Sequence, residues 1–371
     1  MTQTVRAIAD AAKRASRGLA ALSTERRNAG IRAAAELIGK SRSQLLEANA
    51  QDLDAANVML ARGEMNSATV ERLRLTDKKL DEMTSSMLAV AELADPVGRV
   101  LQRTELDRDL VLEKITSPLG VLAIIFEARP DAVTQISALG LKSANAVILK
   151  PGHEVEQTAG ALVAIIRQAL VVSGLPEDAV MLVTGRQAVH ELLGMTDVVD
   201  MVIPRGSKQL VEFVQANTRI PVLGHAEGVC HVYVDAAADI EMALAIIDDA
   251  KTDYPAACNA AETVLIHEAI AATFLPRLVE RLGSKQVALR GCKRTVTILA
   301  NDNLQQVAEG DWRREYSELV LAVRVVDSMD EAIEHIHRFG SAHTETIVTD
   351  DDVAAERFLA EVDSAGVFHN A

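Results

Sequence analysis

Aromatic side chains are scarce in this chain of 371 residues: Phe, Tyr and Trp together make up 3% of the sequence, whereas hydrophobic residues make up 49%. A chain of this length and composition can bury a sizeable core in two or three domains. The core must therefore be mainly aliphatic, built from Ala, Val, Leu and Ile.

Positive charge is in deficit. The chain carries 38 Lys and Arg against 53 Asp and Glu, a formal net charge of −15 that is spread along the sequence. Such a surface repels the phosphates of nucleic acids and anionic lipids, so we expect neither nucleic acid nor membrane as a partner. An anionic substrate would need its own local cluster of donors.

Cysteine is also rare. The three cysteines, Cys230, Cys258 and Cys292, are odd in number and have no disulfide-framework spacing, which is typical of a reducing compartment. The first 22 residues alternate charge with Ala and Leu and resemble neither a signal peptide nor a membrane anchor. We expect no apolar run long enough to span a bilayer, and hence a soluble, cytoplasmic protein.

The pattern of apolar residues changes along the chain. Residues 1–93 have helical spacing, with Ser23 as a helix start. Residues 98–117 read as two alternating strands around a polar turn, which indicates a protruding hairpin. The following 250 residues alternate short apolar runs with helical stretches, the pattern of a parallel sheet made of βαβ units.

The sequence therefore predicts an α/β fold with two sets of parallel strands. The first set comprises residues 120–126, 146–150, 179–185 and 198–203, and the second comprises 229–235, 262–267, 295–300, 319–327 and 344–349. The predicted helices between them are 131–143, 154–173, 186–193, 238–252, 268–282, 329–338 and 352–362.

No common glycine fingerprint for dinucleotides and no Walker loop is present. Three strand ends of the first set nevertheless carry small or cationic residues: Lys150, then Thr184 with Gly185, then Arg205 with Gly206 and Ser207. Each alone is typical of an ordinary turn. Three at successive carboxyl ends of one sheet indicate a ligand crevice, in which helix N-termini accept phosphate oxygens and Lys150 contacts a ribose hydroxyl or a 2′-phosphate.

Arg129 follows the first predicted strand of the sheet. If it is buried, it needs a partner, because an unpaired guanidinium is costly to hide. It then acts as a clamp for a carboxylate or phosphate. Alternatively it forms a surface ion pair with Glu127 or Asp131, and the sequence does not choose between the two.

Cys258 stands among small residues just before a predicted buried strand. Its thiol is either a small apolar filler or a nucleophile that a substrate can reach, since thiolates attack acyl carbons well. A metal site at His225, Cys230 and His231 is not expected, because adjacent residues on a strand point to opposite faces.

Several long segments carry a family resemblance: residues 117–133, 145–152, 204–211, 221–235, 249–267 and 325–349. Across nearly the whole chain they resemble the aldehyde dehydrogenase superfamily, and within it the γ-glutamyl phosphate reductases. The resemblance implies an aldehyde dehydrogenase-like fold of two α/β domains with parallel sheets. Residues 1–97 and 118–227 would bind the cofactor, 98–117 would form an oligomerisation hairpin, and 228–371 would form the catalytic domain.

The resemblance also implies a reaction. Cys258 would attack L-glutamyl 5-phosphate and expel phosphate, and NADPH would reduce the resulting thioester to L-glutamate 5-semialdehyde, a step of proline biosynthesis. The Cys258 N–H, with Asn259 or Arg129, would stabilise the oxyanion. Arg129 is also the expected contact for the substrate.

Cofactor contacts follow from the same resemblance. Lys150 would contact the adenosine ribose, Arg205 to Ser207 the cofactor phosphates, and Glu315 the nicotinamide ribose. A lysine also tolerates NADH, so the preference between NADPH/NADP and NADH stays open. A homo-oligomer, either a dimer or a dimer of dimers, and a functional coupling to glutamate 5-kinase are further expectations.

Three departures from the superfamily are informative. Val222-Leu223-Gly224-His225 stands where hydrolytic members carry the glutamate that activates water, which favours phosphate release. Ala128 stands where they carry an asparagine. Family members also continue past the position of Ala371. The alternatives are a CoA-acylating or hydrolytic aldehyde dehydrogenase, and a catalytically silent assembly module.

Overall fold

The computed structural model describes residues 4–224, 227–300 and 304–371. The chain divides into two compact units, residues 1–226 and 227–371. Each has its own parallel sheet with an aliphatic core, as expected from the scarcity of aromatic residues.

The first unit begins with helices that pack around its sheet. They are α1 (Val5–Ala20), α2 (Thr24–Lys40), α3 (Arg42–Ala61), α4 (Ser67–Leu73) and α5 (Asp77–Glu92). The Ser23 side chain caps the start of α2 by accepting the Arg26 N–H, so the predicted helix start is confirmed.

An antiparallel hairpin follows, formed by β1 (Val100–Asp107) and β2 (Leu110–Ile115). Its strands lie within the predicted range 98–117. Nearly every residue of the hairpin is exposed, including seven large apolar side chains: Val100, Leu101, Leu106, Leu110, Val111, Leu112 and Ile115.

The sheet of the first unit contains β3 (Val121–Phe126), β4 (Ala146–Pro151), β5 (Val180–Leu182) and β6 (Met201–Arg205) in the order β5-β4-β3-β6. All of its pairings are parallel, and β3 and β4 are buried at every position. Burial on both faces explains their continuous apolar runs. The helices that follow the strands are α6 (Asp131–Lys142), α7 (Glu156–Val172), α8 (Arg186–Leu193) and α9 (Lys208–Ala216).

The expectation that no apolar run is long enough to span a bilayer is wrong for one segment of this unit. The segment His153–Val172, which includes α7, is long and apolar enough to cross a membrane by length and composition, with a mean hydropathy of 1.4. Its inner face belongs to the core of the first unit. Asp52 of α3 accepts the N–H groups of Gln157 and Thr158 at the start of α7, which ties that helix into the unit.

The second unit contains a seven-stranded parallel sheet in the order β10-β9-β11-β8-β7-β12-β13. Its strands are β7 (Cys230–Val234), β8 (Ala261–His267), β9 (Ala288–Gly291), β10 (Gln305–Gln306), β11 (Val320–Val326), β12 (Thr344–Val348) and β13 (Gly366–His369). Its helices are α10 (Ile240–Thr252), α11 (Glu268–Gly283), α12 (Lys293–Leu299), α13 (Met329–Phe339) and α14 (Asp352–Glu361).

The predicted strand 295–300 is wrong, because these residues lie mostly in α12. The run Thr295-Val296-Thr297 is β-branched, and its strand propensity is overridden by tertiary packing. Thr295 is buried and donates its hydroxyl to the Val323 carbonyl of β11. Strands β9, β10 and β13 were not predicted, since they are two to four residues long and largely lack fully buried positions.

Candidate active site

Cys258 lies in the loop that joins α10 to β8, at the amino edge of the sheet of the second unit. Two successive turns shape this loop: Ala257 N–H donates to the Tyr254 carbonyl at 2.9 Å, and Ala260 N–H donates to the Ala257 carbonyl at 3.0 Å. Cys258 is half-buried between them, and Asn259 is exposed. The Cys258 side chain is therefore not sealed inside the core.

The backbone of Cys258 packs against Gly228. A Cβ atom on Gly228 would overlap the carbonyl group of Cys258, so only glycine fits at this position. The Cys230 thiol donates to the same carbonyl at 3.3 Å. Burial raises the pKa of Cys230 to about 12, so this second thiol stays protonated at neutral pH and is a poor nucleophile.

A buried ion pair joins the two ends of the Cys258 loop. Lys251, near the end of α10, donates to Glu262, near the start of β8, at 2.7 Å. The other carboxylate oxygen of Glu262 accepts the Ser317 N–H at 3.2 Å. Glu315, predicted from the resemblance to contact the nicotinamide ribose, is half-buried two residues before Ser317.

The segment His343-Thr344-Glu345, within the family-like stretch 325–349, also lies beside this loop. Glu345 is fully buried. Its carboxylate accepts the backbone N–H of His231 and lies 2.9 Å from Nδ1 of the same histidine, and these contacts secure β12 to β7. A cavity of about 370 Å³ adjoins the loop, and its lining includes Cys230, Asn259 and Thr344. The Cys258 loop thus borders a space large enough for a small molecule.

In the first unit, the predicted strand-end residues lie along the carboxyl edge of one sheet. Lys150 is the penultimate residue of β4 and is 8% exposed, with its ammonium donating to the Pro151 carbonyl at 2.8 Å. Burial lowers the pKa of Lys150, and the carboxylates of Glu156, Glu154 and Glu127 oppose this shift. Its ammonium is therefore surrounded by negative charge.

Those carboxylates bind backbone N–H groups at this edge. Ser207 N–H donates to Glu127 at 2.9 Å, and Gly185 N–H approaches Glu156 at 3.4 Å. The amides at the starts of α8 and α9 are thus engaged by carboxylates, whereas we expected them to be open to phosphate oxygens. The remaining predicted contacts at this edge are exposed: Thr184, Arg205 and Gly206.

This edge still fits a dinucleotide. A buried lysine beside carboxylates provides a donor and acceptors for ribose hydroxyl groups, which is the role of acidic residues in other dinucleotide sites. A phosphate at the start of α9 would have to displace Glu127.

Arg129 is exposed, with 54% of its side chain accessible, and it pairs with Asp131 at 3.0 Å. Of the two alternatives left open for Arg129, the structure has the surface ion pair with Asp131 and not the buried arginine. Ala128 beside it has φ 47°, and its N–H donates to Glu154 at 2.6 Å.

Among residues 4–224, 227–300 and 304–371, no group of three or more His, Cys, Asp and Glu side chains is arranged to hold a metal ion. His225, part of the metal motif considered above, lies outside the described residues. His231 is instead bound to Glu345.

The roles of several residues of the site were missed in the sequence: Glu127, Glu154, Glu156, Gly228, Lys251 and Glu262. A usable signal existed for some of them. Lys251 and Glu262 flank the Cys258 loop in otherwise small and apolar surroundings, where charged residues need partners. The close approach of Gly228 to Cys258 had no such signal, because the two are 30 positions apart.

Replacing Gly228 by Ala should displace the Cys258 backbone, because the added methyl group meets a carbonyl rather than a flexible side chain. We expect the free energy of unfolding to fall by about 1–3 kcal/mol, measured by urea denaturation. The rate of Cys258 alkylation by iodoacetamide should also change.

Gly283→Ala is the matched control, since no atom of the described residues lies within 4 Å of the added methyl group in α11. This variant should match or exceed the stability of the wild type. Equal effects of the two substitutions would contradict the close packing of Gly228 on Cys258.

Comparisons with known proteins show the family of this chain. Residues 1–308 match the model of the aldehyde dehydrogenase family. The chain is 47% identical over 371 residues to a γ-glutamyl phosphate reductase of Natronomonas pharaonis, which covers 100% of this chain and 84% of the relative. It is 48% identical over 363 residues to that of Trichodesmium erythraeum, covering 98% of this chain and 83% of the relative.

A solved structure shows the same fold. The crystal structure of γ-glutamyl phosphate reductase from Thermotoga maritima superposes with a TM-score of 0.95 at 37% identity, covering 100% of this chain and 88% of that one. The predicted aldehyde dehydrogenase-like fold is confirmed. The chain belongs to the aldehyde dehydrogenase family and, within it, to the γ-glutamyl phosphate reductases.

Proposed function

We propose that this protein reduces L-glutamyl 5-phosphate to L-glutamate 5-semialdehyde with release of phosphate, with Cys258 as the nucleophile. The observation that carries the proposal is the half-buried thiol of Cys258, flanked by small residues, in a chain that belongs to this reductase family. A nicotinamide cofactor is implied by the family, and we propose NADPH.

The chemistry at Cys258 follows from its position. The thiolate attacks the acyl carbon, and the developing oxyanion is stabilised by the Cys258 N–H and the side-chain amide of Asn259. Phosphate leaves with the electrons of the broken C–O bond, and a thioester remains on the sulfur. When bound, the cofactor supplies the hydride that reduces this thioester, and release of the semialdehyde restores the thiol.

Residues 222–225 bear on which molecule accepts the acyl group. Hydrolytic members of the superfamily carry at this position the glutamate that activates water. Val222, Leu223 and Gly224 provide no carboxylate to activate water. A base there would promote wasteful hydrolysis of the thioester, so its lack supports phosphate release over hydrolysis.

We assign the cofactor to the first unit and the catalytic residues to the second. Lys150 would contact the adenosine ribose, Thr184, Gly185 and the segment 205–207 the cofactor phosphates, and Glu315, from the second unit, the nicotinamide ribose. We assign the substrate carboxylate to Arg129, whose exposed guanidinium could exchange Asp131 for it. We place the reaction in the cytoplasm, where three unpaired cysteines stay reduced and glutamate 5-kinase could supply the substrate.

Cys258→Ala should abolish the reaction, because no other thiol replaces the nucleophile. We expect a loss of about 1,000-fold or more in the reverse direction, measured as NADP reduction with glutamate semialdehyde and phosphate. Cys292→Ala is the matched control and should keep its activity.

The same assay separates the alternatives by their acyl acceptor. Turnover that requires CoA, or that proceeds equally well without phosphate, would contradict the proposed reaction. If Cys258→Ala retains the turnover of the wild type, Cys258 is not the nucleophile.

Cofactor choice should depend on the charges around Lys150. Lys150→Met should lower the ratio of kcat/KM for NADPH to kcat/KM for NADH by about tenfold. The reason is the loss of a charge-assisted contact to the 2′-phosphate. Glu156→Gln should shift the preference toward NADPH, since it removes a negative charge beside that phosphate.

Glu64→Gln, an exposed change outside this edge, should leave the ratio of the two kcat/KM values unchanged. If Lys150→Met and Glu156→Gln also leave it unchanged, Lys150 does not contact the 2′-phosphate.

We further propose that the hairpin formed by β1 and β2 joins subunits of a homo-oligomer. Its exposed leucines are unusual for a surface exposed to water, with Leu101 and Leu112 each 57% accessible. L101K/L112K should lower the molar mass measured by light scattering to that of a monomer, while circular dichroism is unchanged. Val172→Lys, at a 79% exposed position outside the hairpin, should keep the wild-type mass. A monomeric wild type would rule out this role.

A further inference from the structure

The ion pair between Lys251 and Glu262 is fully enclosed: the two side chains are 0% and 1% exposed. Burying two charges costs free energy that their mutual attraction only partly offsets, and such pairs can often be replaced by apolar residues without loss of stability. Stability alone therefore does not account for this pair.

The pair has a particular place in the chain. Lys251 is the penultimate residue of α10, just before the Cys258 loop. Glu262 is the second residue of β8, just after the loop. The contact closes the base of the loop, so that the two turns around Cys258 start and end at fixed points.

Glu262 has a second contact that reaches another segment. Its free carboxylate oxygen accepts the N–H of Ser317, which adopts the left-handed region at φ 54°. A serine seldom adopts this conformation unless its surroundings impose it. Glu315 lies on the same short segment. Burial lowers the pKa of Lys251, and the carboxylates of Glu262 and Glu315 oppose this shift.

We propose that Glu262 is a positioning residue that holds the Cys258 loop, through Lys251, and the Glu315 segment, through the Ser317 amide, in one fixed geometry. The inference rests on the proposed function, in which Cys258 is the nucleophile and Glu315 contacts the cofactor. Glu262 touches neither substrate nor cofactor and acts through these two segments.

Two double variants separate the two contacts. K251M/E262Q removes the ion pair but keeps an oxygen that can accept the Ser317 N–H. K251M/E262L removes the ion pair and this acceptor, with side chains of similar volume. Each is compared with the wild type for kcat, for KM of NADPH, and for the rate of Cys258 alkylation by iodoacetamide relative to Cys292.

Both variants should lower kcat, by up to about 100-fold, because small misplacements of reacting groups have effects of this size. Only K251M/E262L should also raise KM for NADPH, by about tenfold, since only it releases the Ser317 segment. Alkylation of Cys258 should become faster in both, because a released loop exposes the thiol. General loss of the fold would instead speed the alkylation of Cys230 and Cys292 as well.

The proposal is overturned if K251M/E262L retains the kcat, KM and alkylation ratio of the wild type, or if the two variants have the same KM. If K251M/E262L does not fold, Glu262→Gln decides: a lowered kcat with unchanged KM supports the proposal, and an unchanged kcat overturns it. An inactive wild type would refute the proposed function instead, and the alkylation ratio would still test whether Glu262 holds the loop.

Discussion

Lys251 and Glu262 meet in the interior of the second unit, across the ends of the loop that carries Cys258. The loop contains two turns, and the residues next to Cys258 are small, so its position also depends on contacts from outside the loop. Its geometry comes from this contact at its base and from Gly228 packed against the Cys258 carbonyl. The Cys258 thiol is thus placed by the Lys251–Glu262 pair and by the lack of a side chain at Gly228, all outside the loop itself.

The two sheets place different chemistry at different edges. In the first unit the carboxyl edge carries Lys150 and the starts of α8 and α9, where backbone N–H groups gather. Three carboxylates bind there, which balances the positive ends of the helices and the lysine. In the second unit the amino edge carries Cys258, next to the start of β8. Parallel strands allow both arrangements, because each edge gathers loops from several βαβ units.

Much of the fold could be predicted from apolar runs. Strands β3 and β4 are buried on both faces, so their sequences are continuously apolar and stand out from the helices around them. The failures have physical causes. Residues 295–300 have β-branched side chains, yet packing against β11 holds them as a helix. The edge strands β10 and β13 bury little, and a strand that buries little leaves no apolar pattern to read.

The sequence by itself determined the alternation of strands and helices, the aliphatic core and the local surroundings of Cys258, because these depend on residues close together in the chain. It also carried the family resemblance that the comparisons confirmed. Only the tertiary structure decided that Arg129 is exposed, that Glu127 and Glu156 bind the helix amides, that Gly228 packs on Cys258, and that Glu262 binds Lys251 at the base of its loop. These contacts join residues from separate elements, and no local pattern of side chains specifies which distant partner each one will meet.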